Sequence, residues 1–159
     1  MGLIYYYKCK SCNSLWVLGE GMGWLDEHGN FGRCAPSKAT EAGKPDGAWV
    51  ETNYIDKLCL KCNTIYTVVL GNPKKYPIKS QQTQEANTSP SIVIPGTPGG
   101  SESCPVCNDP LLNGRDLLDH VINRDRVGRF ILSRLPSSES VKCPKCKSDF
   151  LRYDIKGNH

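Results

Sequence analysis

The chain has 159 residues, 38% of them hydrophobic, and a mean hydropathy of −0.43, which fits one ordinary domain or two small ones and excludes a helical membrane protein. The opening Met1-Gly2-Leu3-Ile4-Tyr5-Tyr6 has neither a signal-peptide pattern nor the Ser or Thr of a myristoylation site, so the expected setting is cytoplasmic and reducing, with no membrane partner. The formal charge of +4 hints at acidic partners only while the nine cysteines are counted as neutral thiols.

In chain order, the strand-like runs Leu3-Ile4-Tyr5-Tyr6-Tyr7 and Ser14-Leu15-Trp16-Val17-Leu18 flank a first Cys-x-x-Cys pair, Cys9/Cys12. Residues 19 to 47 follow with seven glycines (Gly19, Gly21, Gly23, Gly29, Gly32, Gly43, Gly47), a density that predicts a long loop. Within it, Gly19-Glu20-Gly21-Met22-Gly23 lacks the lysine and the following helix that a phosphate-binding loop requires. Trp24, Phe31 and Trp49 are expected in the core of so small a unit, and Cys34 as a free or buried thiol. The runs Trp49 to Ile55 and Thr64 to Leu70 then flank the second pair, Cys59/Cys62.

From Gly71 to Ser103 the chain carries Pro73, Pro77, Pro90, Pro95 and Pro98 with a polar run at 80 to 84, and reads as a linker. Its one apolar stretch, Ile92-Val93-Ile94, is expected to be solvated unless it adds a strand to a neighbour. After the third pair, Cys104/Cys107, Asn113 and Gly114 lead into a segment with Leu117, Leu118, Val121 and Ile122 on one helical face, which predicts a helix near 115–127 that breaks at Gly128. Arg124, Arg126, Arg129 and Arg134, with Lys142 and Lys145 beside the fourth pair, Cys143/Cys146, are the candidate nucleic-acid contacts, against a plain solvated surface.

Four Cys-x-x-Cys pairs are what two tetrahedral thiolate sites need, because each pair supplies two ligands from one tight turn. Cys9, Cys12, Cys59, Cys62, Cys104, Cys107, Cys143 and Cys146 are therefore assigned to two structural Zn2+ ions. Redox dithiols normally sit at helix starts, and these pairs lie beside strands; a disulfide scaffold fits poorly with an odd cysteine count, and iron in a rubredoxin-like site is the remaining metal alternative. Eight thiolates and two divalent ions add about −4 together, so the loaded chain is close to neutral and its global charge says nothing about nucleic acid.

The pairs also share a context. The fourth residue after each second cysteine is bulky and apolar (Trp16, Tyr66, Leu111, Phe150), placed to roof a metal, and three pairs are followed by asparagine (Asn13, Asn63, Asn108), which tolerates the left-handed backbone of a knuckle turn. Lys147 stands in that place after the fourth pair and fits it less well. The proline-rich boundary favours sequential pairing, Cys9/Cys12 with Cys59/Cys62 and Cys104/Cys107 with Cys143/Cys146. This gives a unit at 1–70, a linker at 71–103 and a second unit at 104–159. Such small units bury little apolar area and depend on their metals.

On its four pairs the chain resembles zinc-ribbon and related tetracysteine proteins, which implies a small metal-stabilised α+β fold: a β-rich zinc-ribbon-like N-terminal unit and a C-terminal zinc unit containing a helix. From Cys104 the sequence also resembles the front half of a two-cysteine, two-histidine zinc finger, with Leu111, Leu117 and His120 in place. Residues 124 to 126, however, offer no second histidine, so Cys143 and Cys146 are expected to complete that site, the alternative being that His120 takes the place of one cysteine. The same stretch is similar to a degenerate HNH nuclease, with Asp119 and His120 between two cysteine pairs, but it lacks that family's later metal ligands. The tetracysteine resemblance implies a non-catalytic adaptor whose partner is a larger protein complex, with nucleic acid as a second candidate partner; the alternatives are a purely protein-binding subunit and the HNH-like hydrolase.

Overall fold

The computed structural model describes residues 2–33, 48–70, 77–83, 89–96, 100–118 and 141–153. Alternation of apolar and polar side chains sets the first strand: in β1 (Leu3–Cys9) Tyr5, Tyr7 and Cys9 point inward while Ile4 and Lys8 are exposed. It pairs antiparallel with β2 (Leu15–Asp26), whose second half pairs in turn with β4 (Trp49–Cys59). β4 and β5 (Thr64–Leu70) form a second long hairpin, and nearly all of β5 is buried, as expected of a central strand.

The described strands form a single sheet in the order β6-β7-β5-β4-β2-β1-β9, with β3 (Phe31–Gly32) on β2 and β8 (Leu112–Asn113) on β4. β6 (Gln82–Thr83) and β7 (Ser91–Pro95) come from the segment read as a linker, and β9 (Leu151–Tyr153) from the end of the chain. The linker expectation is thus corrected. Val93 is fully buried against Leu25, Phe31 and Val69, and that burial holds β7 parallel to β5 with Tyr66 opposite Ile92. Hydrophobic burial at one position outweighs the proline-rich composition around it.

Residues 19 to 26 correct the long-loop expectation as well, because β2 runs straight through Gly19, Gly21 and Gly23. These glycines alternate along the strand and therefore lie on one face, where other chain segments approach closely. A Cβ on Gly23 would lie 2.3 Å from the Gly32 carbonyl oxygen and 2.8 Å from the Phe31 ring, and one on Gly32 would lie 2.3 Å from the Trp24 indole. At Gly19 the nearest atoms are 3.5 Å away, an ordinary contact. Gly23→Ala should therefore destabilise by about 1–3 kcal/mol, read as a lower urea midpoint, while Gly19→Ala should be close to neutral. The turn that follows is set by Asp26, whose carboxylate accepts from the His28 and Asn30 amides at 2.9 and 2.8 Å. Of the three expected core aromatics, Phe31 is buried, while Trp24 and Trp49 are half-buried.

Backbone pairing between β2 and β4 starts at Glu20 and Ile55, so before that point the two strands diverge. The opening is filled in two ways. Apolar side chains from both sides (Tyr7, Trp16, Leu18, Leu58, Ile65) form the main core with Leu117, Val141 and Leu151. Beside it, the carboxylate of Asp56, fully buried, accepts from the Gly19 amide at 2.9 Å, from Thr67 Oγ1 at 2.7 Å and from the Arg33 guanidinium. Arg33 also donates to Thr67 and Ser91 and lies over the Tyr54 ring. A second buried ion pair, Lys57 with Glu102, ties β4 to the segment ahead of the third cysteine pair.

Of the helix expected near 115–127, residues 114–118 are helical, and the remainder lies outside the described residues. Its start is fixed on β1: Gly114 abuts Tyr5, where a Cβ would fall 2.2 Å from the ring, and the Tyr7 hydroxyl donates to the Gly114 carbonyl.

Candidate metal centres

The eight cysteines of the four pairs gather into two groups, Cys9/Cys12/Cys143/Cys146 and Cys59/Cys62/Cys104/Cys107, with all sulfurs of a group within 4.8 Å of one another. This overturns the sequential pairing: the first pair joins the fourth, and the second joins the third. The cause is strand pairing. β9 lies antiparallel on β1 with Leu151 opposite Cys9, and β8 lies antiparallel on β4 with Leu112 opposite Leu58. Each group is therefore built the same way, from a hairpin knuckle plus a second knuckle whose following strand adds to the hairpin's first strand. The Cys59 group and its strands are inserted within the chain segment that the Cys9 group closes.

Within each group the chemistry is that of a metal site. Nearest sulfur separations are 3.7 Å for Cys9–Cys146 and Cys12–Cys143, 3.4 Å for Cys59–Cys107 and 3.9 Å for Cys62–Cys104. A tetrahedron with metal–sulfur bonds of about 2.3 Å has edges of about 3.8 Å, whereas a disulfide needs about 2.05 Å. All eight cysteines are free of disulfides.

The knuckle turns follow from backbone conformation. Among the described residues, the non-glycine positions with positive φ are Asn13, Asn63, Asn108 and Lys147, at 56°, 52°, 64° and 59°. Each directly follows the second cysteine of a pair, so Lys147 adopts the same left-handed turn as the three asparagines despite its less suitable side chain. Its ammonium donates to the Leu60 carbonyl at 3.1 Å, which joins the fourth knuckle to the second and thus one group to the other. Trp16 makes a parallel link, its indole N–H donating to Asn63 Oδ1 at 2.8 Å. Asn108→Ala should cost about 1 kcal/mol and Asn108→Gly almost nothing in thermal denaturation, since alanine meets the left-handed penalty that glycine avoids.

Three of the expected roofing residues are in place. Trp16 packs with Cys9 and Cys143, and Tyr66 and Leu111 pack with Cys59 and Cys104. Phe150 is the exception, being half-buried, while Leu151 takes the inner position. The fourth knuckle carries one extra residue: Cys9 and Cys104 donate to the carbonyls of Ser14 and Asp109, five residues on, but Cys143 donates to Asp149, six on. One added residue moves the inward side chain by one place.

Hydrogen-bond donors divide the thiols of each group into unlike members. The Ser148 hydroxyl and amide hold Cys146 down to about 6, and the Ser14 hydroxyl and amide lower Cys12. At Cys104 burial pushes upward, but the Cys107 amide and the Tyr66 hydroxyl, 3.5 Å away, outweigh it and bring the thiol down to about 6. Cys62 is pushed up to about 12 by its hydrogen bond with Cys107 and by burial. Each group thus has at least one thiol poised to be a thiolate, and metal binding displaces protons from the others. Sequence reading marked Tyr66 as a roof and missed it as a donor. At the other group the signal was a serine two residues after the second cysteine, at Ser14 and Ser148; Thr64, in the same place, donates instead to the Cys62 carbonyl at 3.2 Å.

Of the candidate nucleic-acid contacts, Lys142 and Lys145 are exposed beside the Cys9 group. Arg124, Arg126, Arg129 and Arg134 lie outside the described residues, as do Cys34, Asp119 and His120. The site expected for the zinc-finger resemblance is corrected too, because Cys104 and Cys107 are completed by Cys59 and Cys62 and not by Cys143 and Cys146. The two pairs that bracket Asp119 and His120 consequently belong to different groups.

Fold and site together define a strand-rich protein with two tetracysteine groups, each fit to hold one metal ion. Comparison with protein-family models, with curated proteins and with solved structures finds no match.

Proposed function

We propose that both groups bind zinc as structural ions and that the protein is a non-catalytic adaptor, its metals holding knuckle surfaces in place for a macromolecular partner. The observation that carries this reading is the closure of each group: four sulfurs at tetrahedral spacing leave no coordination position for water or substrate. Thiolates in a four-sulfur set suit zinc, and the repeated arrangement of hairpin, second knuckle and added strand supports a zinc-ribbon-like build for each half. The partner is a larger protein assembly or nucleic acid.

A metal count with a thiol count tests it. Two zinc ions per chain and one thiol open to modification in the native state, Cys34, are the expected result. Fewer than two ions, or bound iron with its visible absorption, would overturn the zinc assignment.

A further inference from the structure

Between the knuckle ends of β2, β5 and β7 lies a groove of about 460 Å³ with walls from Ser14 to Trp16, Asn63 to Ile65 and Ser89 to Ile92, and with Gln82, Thr83 and Lys145 completing it. Among the described residues no carboxylate lines it. The charged residue among the described lining is Lys145, and most other lining groups are hydroxyls, amides and aliphatic side chains. The size falls within the usual range for small-molecule sites, and the lining suits a neutral polar ring carrying an anionic group.

Strand parity gives the groove a backbone edge. Cys9 donates to the Ser14 carbonyl, while Val17 donates away from β1 to Ser89 Oγ and Gly19 to Asp56. Bonding alternates along an antiparallel strand, so the N–H and C=O of Leu15 also turn away from β1, at a place where β4 does not reach β2. The next amide, Val17, is already bonded to Ser89, so among the described residues one donor–acceptor pair, that of Leu15, faces the groove. That is too short for strand addition by a peptide, but it matches the paired donor and acceptor on the edge of a nucleobase. Leu15, 49% exposed, and Ile92 supply apolar contact for a ring face.

Charge around the groove points the same way. Lys10, Lys61 and Lys147 stand exposed on the adjoining knuckles, with Lys147 resting on the knuckle that carries Lys61. Asp149, on the fourth knuckle, is engaged by the Ser11 hydroxyl, which donates to its carboxylate at 3.0 Å.

We propose that this groove binds one unpaired nucleotide of a nucleic-acid strand, with the base against the Leu15 amide edge and the phosphate on Lys145, while neighbouring phosphates run over the knuckle lysines. The inference rests on the adaptor reading, since metal-held knuckles form its walls. A base inside a duplex cannot enter, so the site selects single strands.

The test uses the full chain loaded with zinc, titrated with labelled twelve-nucleotide oligo-uridylate and oligo-thymidylate and with a duplex of equal length, and read by anisotropy. At least one single strand should bind, and the duplex should bind at least about tenfold more weakly. Three or four phosphate contacts predict a log–log salt slope of about −2 to −3, and Lys145→Ala should make it shallower by about 0.7. Gln82→Trp, which fills the groove, should weaken binding about tenfold with both zinc ions retained. Absence of binding to either strand by protein holding two zinc ions, equal affinity for duplex, or indifference to both substitutions would overturn the site. Loss of the zinc itself would instead count against the adaptor reading.

Discussion

Replacing Cys9 and Cys143 together with serine should leave the protein able to bind one cobalt(II) ion in a tetrathiolate site, whereas replacing Cys9 and Cys59 together should leave it with none. Sequential pairing would reverse both outcomes, so the sulfur-to-cobalt charge-transfer absorption of the two variants reads the nested arrangement directly. The stability effect should be large. Structural zinc contributes an apparent 10–16 kcal/mol in small domains, against total stabilities of about 5–15 kcal/mol. The Cys9 group joins β1 to the knuckle ahead of β9, with Cys9 and Cys143 both inside the main core beside Tyr7, Trp16 and Leu151. Chelation should therefore abolish the near-ultraviolet signal of the packed aromatics, and loss of that group alone should remove the part that comes from Tyr7 and Trp16.

Asp56→Ala should cost about 3–5 kcal/mol, visible as a fall in the urea midpoint at saturating zinc. Asp56 sits where β2 and β4 part, and its carboxylate substitutes for the missing backbone pairing by accepting from the Gly19 amide as well as from Thr67 and Arg33. Deleting it leaves a guanidinium that is 6% exposed without its counter-charge, as well as an unsatisfied amide. The double variant Arg33→Met/Asp56→Leu removes both charges and should recover most of the loss. If Asp56→Ala cost less than about 1 kcal/mol, the network would not be what holds the two strands at this angle.

The ligands were legible because their chemistry is local. A Cys-x-x-Cys turn followed by asparagine carries its own instructions: two thiolates at chelating distance and a residue that accepts φ near +60°, as found at Asn13, Asn63 and Asn108. The hairpin strands around Cys9/Cys12 and Cys59/Cys62 were readable for the same reason, since alternation and β-branched or aromatic content are properties of a few neighbouring residues. Glycine misled because its meaning depends on what lies opposite. Gly23 and Gly32 are required by Phe31 and Trp24 pressing close in a paired strand, and composition cannot distinguish that from a loop.

The sequence by itself determined that eight cysteines form four knuckles, that these suit two metal ions, and that the strands beside them are extended. Only the tertiary structure decided which knuckles meet. Ligand spacing within a pair is fixed by covalent geometry, but the partner of a pair is chosen by long-range strand pairing; the apolar run Ile92-Val93-Ile94 marks a strand that can add to a neighbour, yet it does not say that the neighbour is β5, nor that β9 will pack on β1. The groove beside Leu15 and the Arg33–Asp56 lock both arise where strands diverge, a place defined only once the sheet has formed.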